Sequence, residues 1–214
     1  MAFVGKKFPN ISVNAMNDMG DTFKLNVLEE AQKNNKKVVL FWYPKDFTFV
    51  CPTELHAFQA AIGEFEKRNT LVIGASCDTP EVHFAWLSTD KDNGGIEGVT
   101  YPILADSNRN LSSVLGILDI QNEVYDEETE TVQVEGDNVT YRATYIIDEE
   151  GVVQHESINN MPLGRNVGEY LRLVDALTHV QEKGEVCPAN WEEGKDAMSA
   201  NRDGVASYLS AHAN

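Results

Sequence analysis

A chain of 214 residues with 42% hydrophobic content is long enough to bury a full core as one domain with an extension. Its 34 acidic residues against 17 basic ones give a net charge of −17, which repels phosphate backbones and anionic membranes and argues against nucleic-acid or membrane partners. No run approaches a transmembrane helix, and the basic pair Lys6-Lys7 follows the short apolar start instead of preceding it, so a cytoplasmic location is expected.

In that compartment the sequons at Asn10, Asn110 and Asn138 carry no glycan, and three cysteines suggest redox chemistry more than a stapling framework. Residues 1–35 hold short runs around Asn17-Asp-Met-Gly-Asp21, whose glycine suggests a hairpin packed on the domain edge. Strand-like runs at 38–43, 70–76, 101–104, 142–148 and 151–157 then alternate with helical patterns at 52–67, 80–90, 108–116 and 166–182. This alternation predicts an α/β sheet with helices on both faces. The run Val38-Val-Leu-Phe-Trp-Tyr43 has the β-branched and aromatic content of a strand covered on both sides. Leu55, Phe58, Ile62 and Phe65 recur at helical spacing after it. Residues 123–140 are acidic, and Thr131-Val-Gln-Val-Glu135 followed by Gly-Asp-Asn reads equally well as a surface hairpin or a solvated loop. The tail after 190 is polar and rich in small residues, with a short helix ending near Tyr208-Leu209.

Cys51 stands at the junction of the buried strand and the following helix, with Pro52 directly after it. It reads as the N-cap, with Pro52 at N1 and Glu54 at N3, in the manner of a capping box with sulfur in place of a hydroxyl. Unpaired N–H groups and the positive end of the helix favour negative charge on a capping group. A thiol of pKa about 8.5 is only about 3% ionised at pH 7, and making one mostly thiolate takes roughly 3 kcal/mol. A helix end supplies about 1 kcal/mol, so a cation must supply the rest. Glu54 opposes ionisation unless it too has a partner, and an arginine near both would serve.

Arg142 is the first candidate, because it opens an apolar strand and can keep its head at the sheet edge; an ordinary surface charge is the alternative. Arg165, in Pro162-Leu-Gly-Arg165, precedes a helix and reads equally as a solvated loop residue. Glu54 occupies the position where a Cys-x-x-Cys motif has its second cysteine, so no local disulfide can form. Cys187 lies in the polar, turn-rich Gly184-Glu-Val-Cys-Pro-Ala-Asn-Trp191, where an exposed thiol in a flexible segment suits a resolving role and a partly buried spare cysteine is the alternative. Cys77, at the end of an apolar run, reads as a small buried hydrophobe. The histidines lack the context of a hydrolase base, and His56, five residues after Cys51, lies about 140° around the helix from it. Asp90-Lys-Asp-Asn-Gly-Gly95 fails as an EF-hand because Tyr101 stands where the acidic twelfth ligand belongs.

Taken together, Pro44-x-x-x-Thr48-x-x-Cys51 resembles the active-site signature of the peroxiredoxins, and Phe47-Thr-Phe-Val-Cys-Pro-Thr-Glu54 resembles the typical 2-Cys subgroup. The Cys187 segment is similar to that subgroup's resolving-cysteine segment, and Arg142-Ala-Thr-Tyr-Ile-Ile-Asp148 to its arginine strand. The resemblance spans essentially the whole chain. It implies a thioredoxin-like α/β fold with a mixed central sheet, an N-terminal hairpin extension and a C-terminal tail. Residues 1–160 then form the peroxidase domain, and residues 161–214 a helix and tail belonging to the same functional unit.

The resemblance further implies that Cys51 attacks peroxide, Arg142 steadies thiolate and peroxide, Thr48 offers its hydroxyl, and Pro44 shields the pocket from water. Glu54 pairs with Arg142 and Arg165, and Arg165 orients the site from behind. Cys187 of a neighbouring subunit resolves the sulfenic acid, within homodimers that assemble into decamers. Thioredoxin or a flavoprotein disulfide reductase supplies electrons, and neither cofactor nor metal is implied. The chain has Gly94-Gly-Ile-Glu-Gly98 and Tyr208-Leu209 where overoxidation-sensitive members have Gly-Gly-Leu-Gly and Tyr-Phe, so intermediate sensitivity is expected. A holdase or scaffold role in a large ring is the alternative function.

Overall fold

The computed structural model describes residues 2–120 and 122–212. The chain divides into two compact units, Met1–Arg165 and Asn166–Asn214.

The first unit is built on one strand. β3 (Lys37–Trp42) is buried at every position, as its apolar run predicts, and its side chains alternate between two cores. Val38, Leu40 and Trp42 join Ile73, Leu104, Leu115 and Tyr145 on one face. On the other, Phe41 stacks on Phe58 with ring centroids 4.0 Å apart and meets Tyr101 edge-on at 5.7 Å. Full burial of each such side chain stabilises the fold by about 1.5–3 kcal/mol.

Around β3 the sheet has seven strands in the order β2-β1-β5-β4-β3-β8-β9. β4 (Thr70–Ser76) runs parallel to β3 and to β5 (Ile103–Ala105), whereas β8 (Arg142–Ile147) pairs with β3 antiparallel and β9 (Val153–Asn159) with β8 antiparallel. The N-terminal hairpin is present: β1 (Ser12–Met16) and β2 (Thr22–Asn26) form the far edge, and β1 pairs antiparallel with β5. Asn17 Oδ1 accepts from the N–H groups of Met19 and Asp21, and Gly20 at φ 87° completes the turn. The acidic segment forms a hairpin of β6 (Asn122–Asp126) and β7 (Thr131–Glu135), separate from the main sheet.

Two expectations need correction. The helix expected over 52–67 is two helices, α2 (Cys51–Ala60) and α3 (Ile62–Lys67), broken at Ala61. The break and the nearby Gly63, a weak helix former, allow Phe65 to stack on Phe58 at 6.1 Å. In addition, residues 27–34 form a helix that the hairpin reading of the N-terminus omits: α1 (Val27–Asn34), whose first turn is capped by the Asn26 side chain accepting from the N–H of Glu29. α4 (Pro80–Leu87) and α5 (Asn110–Leu115) complete the unit close to their expected places.

The second unit comprises α6 (Val167–Lys183), a connecting segment with an antiparallel bridge between Val186 and Met198, and α7 (Arg202–His212). Asn166 caps α6 through the N–H of Gly168, and Gly184 ends it in the left-handed conformation at φ 65°.

Candidate active site

β3 delivers the chain into the loop 44–50, and α2 begins at Cys51. Val50, not Cys51, is the N-cap, and it already has helical φ −85° and ψ −36°. Cys51 is therefore the first helical residue, and Glu54 sits a position deeper than a capping box allows. The reason lies in the side chain of Glu54, which is turned inward to two arginines and cannot reach back over the helix end. The placement leaves the backbone N–H of Cys51 among the unpaired donors of the first turn.

Cys51 is fully buried, and Arg142, at the first position of β8, places Nη1 3.4 Å from its Sγ. The same Nη1 donates to Glu54 Oε2 at 2.7 Å, while Arg142 Nε donates to the Met161 carbonyl at 2.6 Å. Arg165 holds the other side of the carboxylate. Its Nε and backbone N–H donate to Oε1 at 2.9 and 3.0 Å, and its Nη2 donates to Oε2 at 2.8 Å. Arg165 is in turn fixed by the Ala143 carbonyl and the Thr144 hydroxyl, with its guanidinium 5.1 Å from the centroid of the Phe41 ring. Neither arginine is a surface charge: Arg142 and Arg165 have side chains 4% and 0% exposed.

Among the described residues of this cluster, two guanidinium cations share one buried carboxylate, and the Cys51 sulfur lies 3.4 Å from the Arg142 end of it. A hydrogen bond from a guanidinium is charge-assisted, so Arg142 is placed as a strong donor to whatever occupies the sulfur position.

Beside the cluster opens a cavity of about 420 Å³. Its wall includes Pro44, Thr48, Phe49, Val50, Val139, Arg142, Met161 and Pro162. Pro44 is buried and Thr48 half-buried, and the Thr48 hydroxyl donates to the Lys45 carbonyl at 2.9 Å, leaving its oxygen lone pairs free to accept. A larger cavity of about 780 Å³, lined by residues of the C-terminal segment such as Met198, Tyr208 and His212, contains no cysteine.

All three cysteines are free thiols. Cys77 is buried against the Ser112 hydroxyl at 3.7 Å, and burial pushes its thiol up to about 11, which keeps it protonated. Cys187 is not the exposed, flexible thiol that its polar surroundings suggest. It is half-buried with Sγ 3.7 Å from the Ala176 carbonyl of α6, and partial burial raises its pKa. Trp191 accounts for the order of this segment: it is buried, its carbonyl accepts from Arg172 Nη1 at 3.2 Å, and its ring lies 5.0 Å from that of His179. His56 turns its Nε2 to the Gly95 carbonyl at 3.0 Å. Among the described residues no cluster of His, Cys, Asp or Glu could hold a metal ion.

Residues 4–156 match the AhpC/TSA family, and residues 176–211, which include Cys187, match the C-terminal domain of 1-Cys peroxiredoxin. The chain belongs to the peroxiredoxin family. It is 41% identical to Peroxiredoxin-2 of Bos taurus, over 99% of this chain and 96% of that one. It is also 41% identical to alkyl hydroperoxide reductase C of Helicobacter pylori, over 90% of this chain and 87% of that one. Among solved structures, the reduced 2-Cys peroxiredoxin of Plasmodium vivax superposes with a TM-score of 0.86 at 36% identity, covering 98% of this chain and all of that one. The fold is thus the thioredoxin-like α/β fold expected from the sequence, and the chain is a thiol-dependent peroxidase.

The motif residues do not include Met161, whose carbonyl anchors Arg142, or Val139 and Pro162 in the cavity wall. Met161 acts through its backbone, so its residue type carries no signal.

Proposed function

We propose that Cys51 is the peroxide-reacting sulfur of this peroxidase and that Arg142, Thr48 and Pro44 form its substrate site, supported by Glu54 and Arg165. The contact between Arg142 and Cys51, beside a carboxylate shared by two arginines, carries this reading. The thiolate attacks the terminal oxygen of a hydroperoxide; an S–O bond forms, the O–O bond breaks, and the electron pair leaves on an alkoxide or hydroxide that then takes a proton. Charge moves from sulfur towards oxygen, so fixed donors already in place, Arg142 and the N–H of Cys51, stabilise the transition state. The lone pairs of Thr48 Oγ1 suit the hydroperoxide O–H.

The sulfenic acid on Cys51 then condenses with a thiol, releasing water and forming a disulfide. We assign that thiol to Cys187 of a neighbouring subunit, within dimers that assemble into a decamer. Cys51 is fully buried and Cys187 is held on α6, so both the first turn of α2 and the segment carrying Cys187 open locally before the sulfurs meet. Reduction by thioredoxin or a flavoprotein disulfide reductase completes the cycle. Hydrogen peroxide and small alkyl hydroperoxides are the substrates, and a cytoplasmic site of action fits a chain in whose described residues no helix is long and apolar enough to cross a membrane.

Peroxide consumption by the reduced protein tests the assignment. Cys51→Ser abolishes it, whereas Cys77→Ser retains it. Undiminished consumption by Cys51→Ser would overturn the assignment.

A further inference from the structure

The segment that carries Cys187 is folded against α6, and one side chain of that helix grips it on both sides of the cysteine. His179 Nε2 lies 2.9 Å from Glu185 Oε2, two residues before Cys187, and the His179 ring lies 5.0 Å from that of Trp191, four residues after it. An ionised carboxylate only accepts, so Nε2 carries a hydrogen and His179 is the donor. Gly184, left-handed at φ 65°, turns the chain back from the end of α6 and lets residues 185–191 meet the helix again.

Other contacts order the segment, but they do different things. The backbone bonds between Val186 and Met198, at 2.9 and 3.2 Å, and the bond from the Trp191 indole N–H to the Lys195 carbonyl at 3.0 Å lie within it and travel with it. The contacts to α6 are those of Cys187 Sγ with the Ala176 carbonyl at 3.7 Å, of the Trp191 carbonyl with Arg172 Nη1 at 3.2 Å, and the two made by His179. A thiol is a weak donor, so His179 and Arg172 carry most of the attachment. Trp191 is buried, whereas His179 and Glu185 have side chains 22% and 43% exposed, and a contact open to water gives way before a core does.

While the segment is closed, Cys187 is also a poor nucleophile. Burial raises its pKa, with Arg172 opposing and Glu185 adding to the rise. Glu185 therefore acts on Cys187 both through its charge and through its bond to His179, and the two effects are separable by substitution.

We propose that His179 is a positioning residue for resolution: by holding Glu185 and Trp191 together it keeps Cys187 folded against α6, and its release sets how fast Cys187 reaches the sulfenic acid on Cys51. The inference rests on Cys187 being the resolving thiol and concerns residues that take no part in the attack on peroxide. Two reactions compete for that sulfenic acid. Condensation with the Cys187 thiol forms the S–S bond and releases the sulfenic oxygen as water. A second hydroperoxide instead gives an oxygen to the sulfur, which loses two electrons and becomes the sulfinic acid while the peroxide is reduced to an alcohol or water. Only the second depends on peroxide concentration, so a looser grip raises the peroxide level the enzyme survives by the factor that it adds to resolution.

Stopped-flow tryptophan fluorescence of the reduced full-length protein separates peroxide-dependent oxidation of Cys51 from the peroxide-independent disulfide step, and mass spectrometry after graded peroxide measures sulfinic acid on Cys51. His179→Phe keeps a ring for Trp191 but cannot donate to Glu185, and Glu185→Ala removes the acceptor. Each is expected to leave the oxidation rate constant unchanged, to speed disulfide formation about fivefold, and to raise by the same factor the peroxide concentration that converts half of Cys51 to sulfinic acid. The double variant is no faster than either single one, because both remove the same hydrogen bond. Glu185→Gln loses the charge but keeps an acceptor for Nε2–H, and stays within about twofold of the wild type. General loosening of α6 makes the two substitutions multiply instead. Disulfide formation no faster than wild type in either single variant, multiplying effects in the double variant, or a Glu185→Gln rate equal to that of Glu185→Ala overturns the proposal. If His179→Phe fails to fold, the two Glu185 variants decide. Disulfide formation that persists in Cys187→Ser refutes the underlying assignment instead.

Discussion

Replacing Glu54 with Gln removes the one anion shared by two buried guanidinium groups. Oε1 accepts from the backbone N–H and Nε of Arg165, and Oε2 accepts from Arg142 Nη1 and Arg165 Nη2. Gln keeps one oxygen and turns the other into a donor, so in either orientation two charge-assisted hydrogen bonds become donor-to-donor contacts. Breaking a buried ion pair by removing one partner costs about 3–5 kcal/mol. For a chain of this length each kcal/mol shifts Tm by about 2–4 °C, so a fall of roughly 10 °C is expected. The chemical consequence separates two rates. Arg142 loses its anchor, so peroxide oxidation slows by about a hundredfold, whereas alkylation of Cys51, which needs no positioned guanidinium, is slowed far less. Differential scanning calorimetry and stopped-flow fluorescence read the two effects. A Tm within 2 °C of wild type, or parallel loss of both rates, would refute the idea that Glu54 orders the arginines.

Arg142→Lys retains the charge but cannot span the Met161 carbonyl, Glu54 and the sulfur together, and is expected to slow single-turnover oxidation by about 10²–10³-fold; a loss under tenfold contradicts this. Cys77, with its thiol pushed up to about 11, is about 0.03% ionised at pH 7.5, so peptide mapping after brief alkylation should find label on Cys51 and little on Cys77. The folded value lies above the unfolded one, near 9, so the Cys77 contribution to stability is intact below pH 9 and is lost between about pH 9 and 11. Cys77→Ala should lack that part of the decline in Tm. Turnover followed against rising peroxide should show intermediate sensitivity to overoxidation; inactivation within a few turnovers, or none at very high peroxide, rejects it.

The position of Cys51 is legible in the sequence because a continuous apolar strand meets a helix of clear period there, two of the strongest local signals. The start of α2 is misread by one residue, since the capping pattern of Cys51 and Glu54 assumes a side chain free to fold back, and Glu54 is committed to Arg142 and Arg165 instead. Those arginines lie 88 and 111 residues away along the chain, and only the sheet brings them together. α1 does carry a local signal, Asn26 followed three residues later by Glu29, but the apolar periodicity after it is short. The order around Cys187 depends on Trp191, a single aromatic in a polar stretch that composition alone marks as flexible.

Non-reducing electrophoresis after stoichiometric peroxide, with peptide mapping of the cross-link, compares wild type with Cys51→Ser and Cys187→Ser. The wild type should run as a dimer joined through Cys51 and Cys187, and both variants as monomers. A dimer that persists in Cys187→Ser, or a bridge that maps to Cys77, would contradict the proposed chemistry.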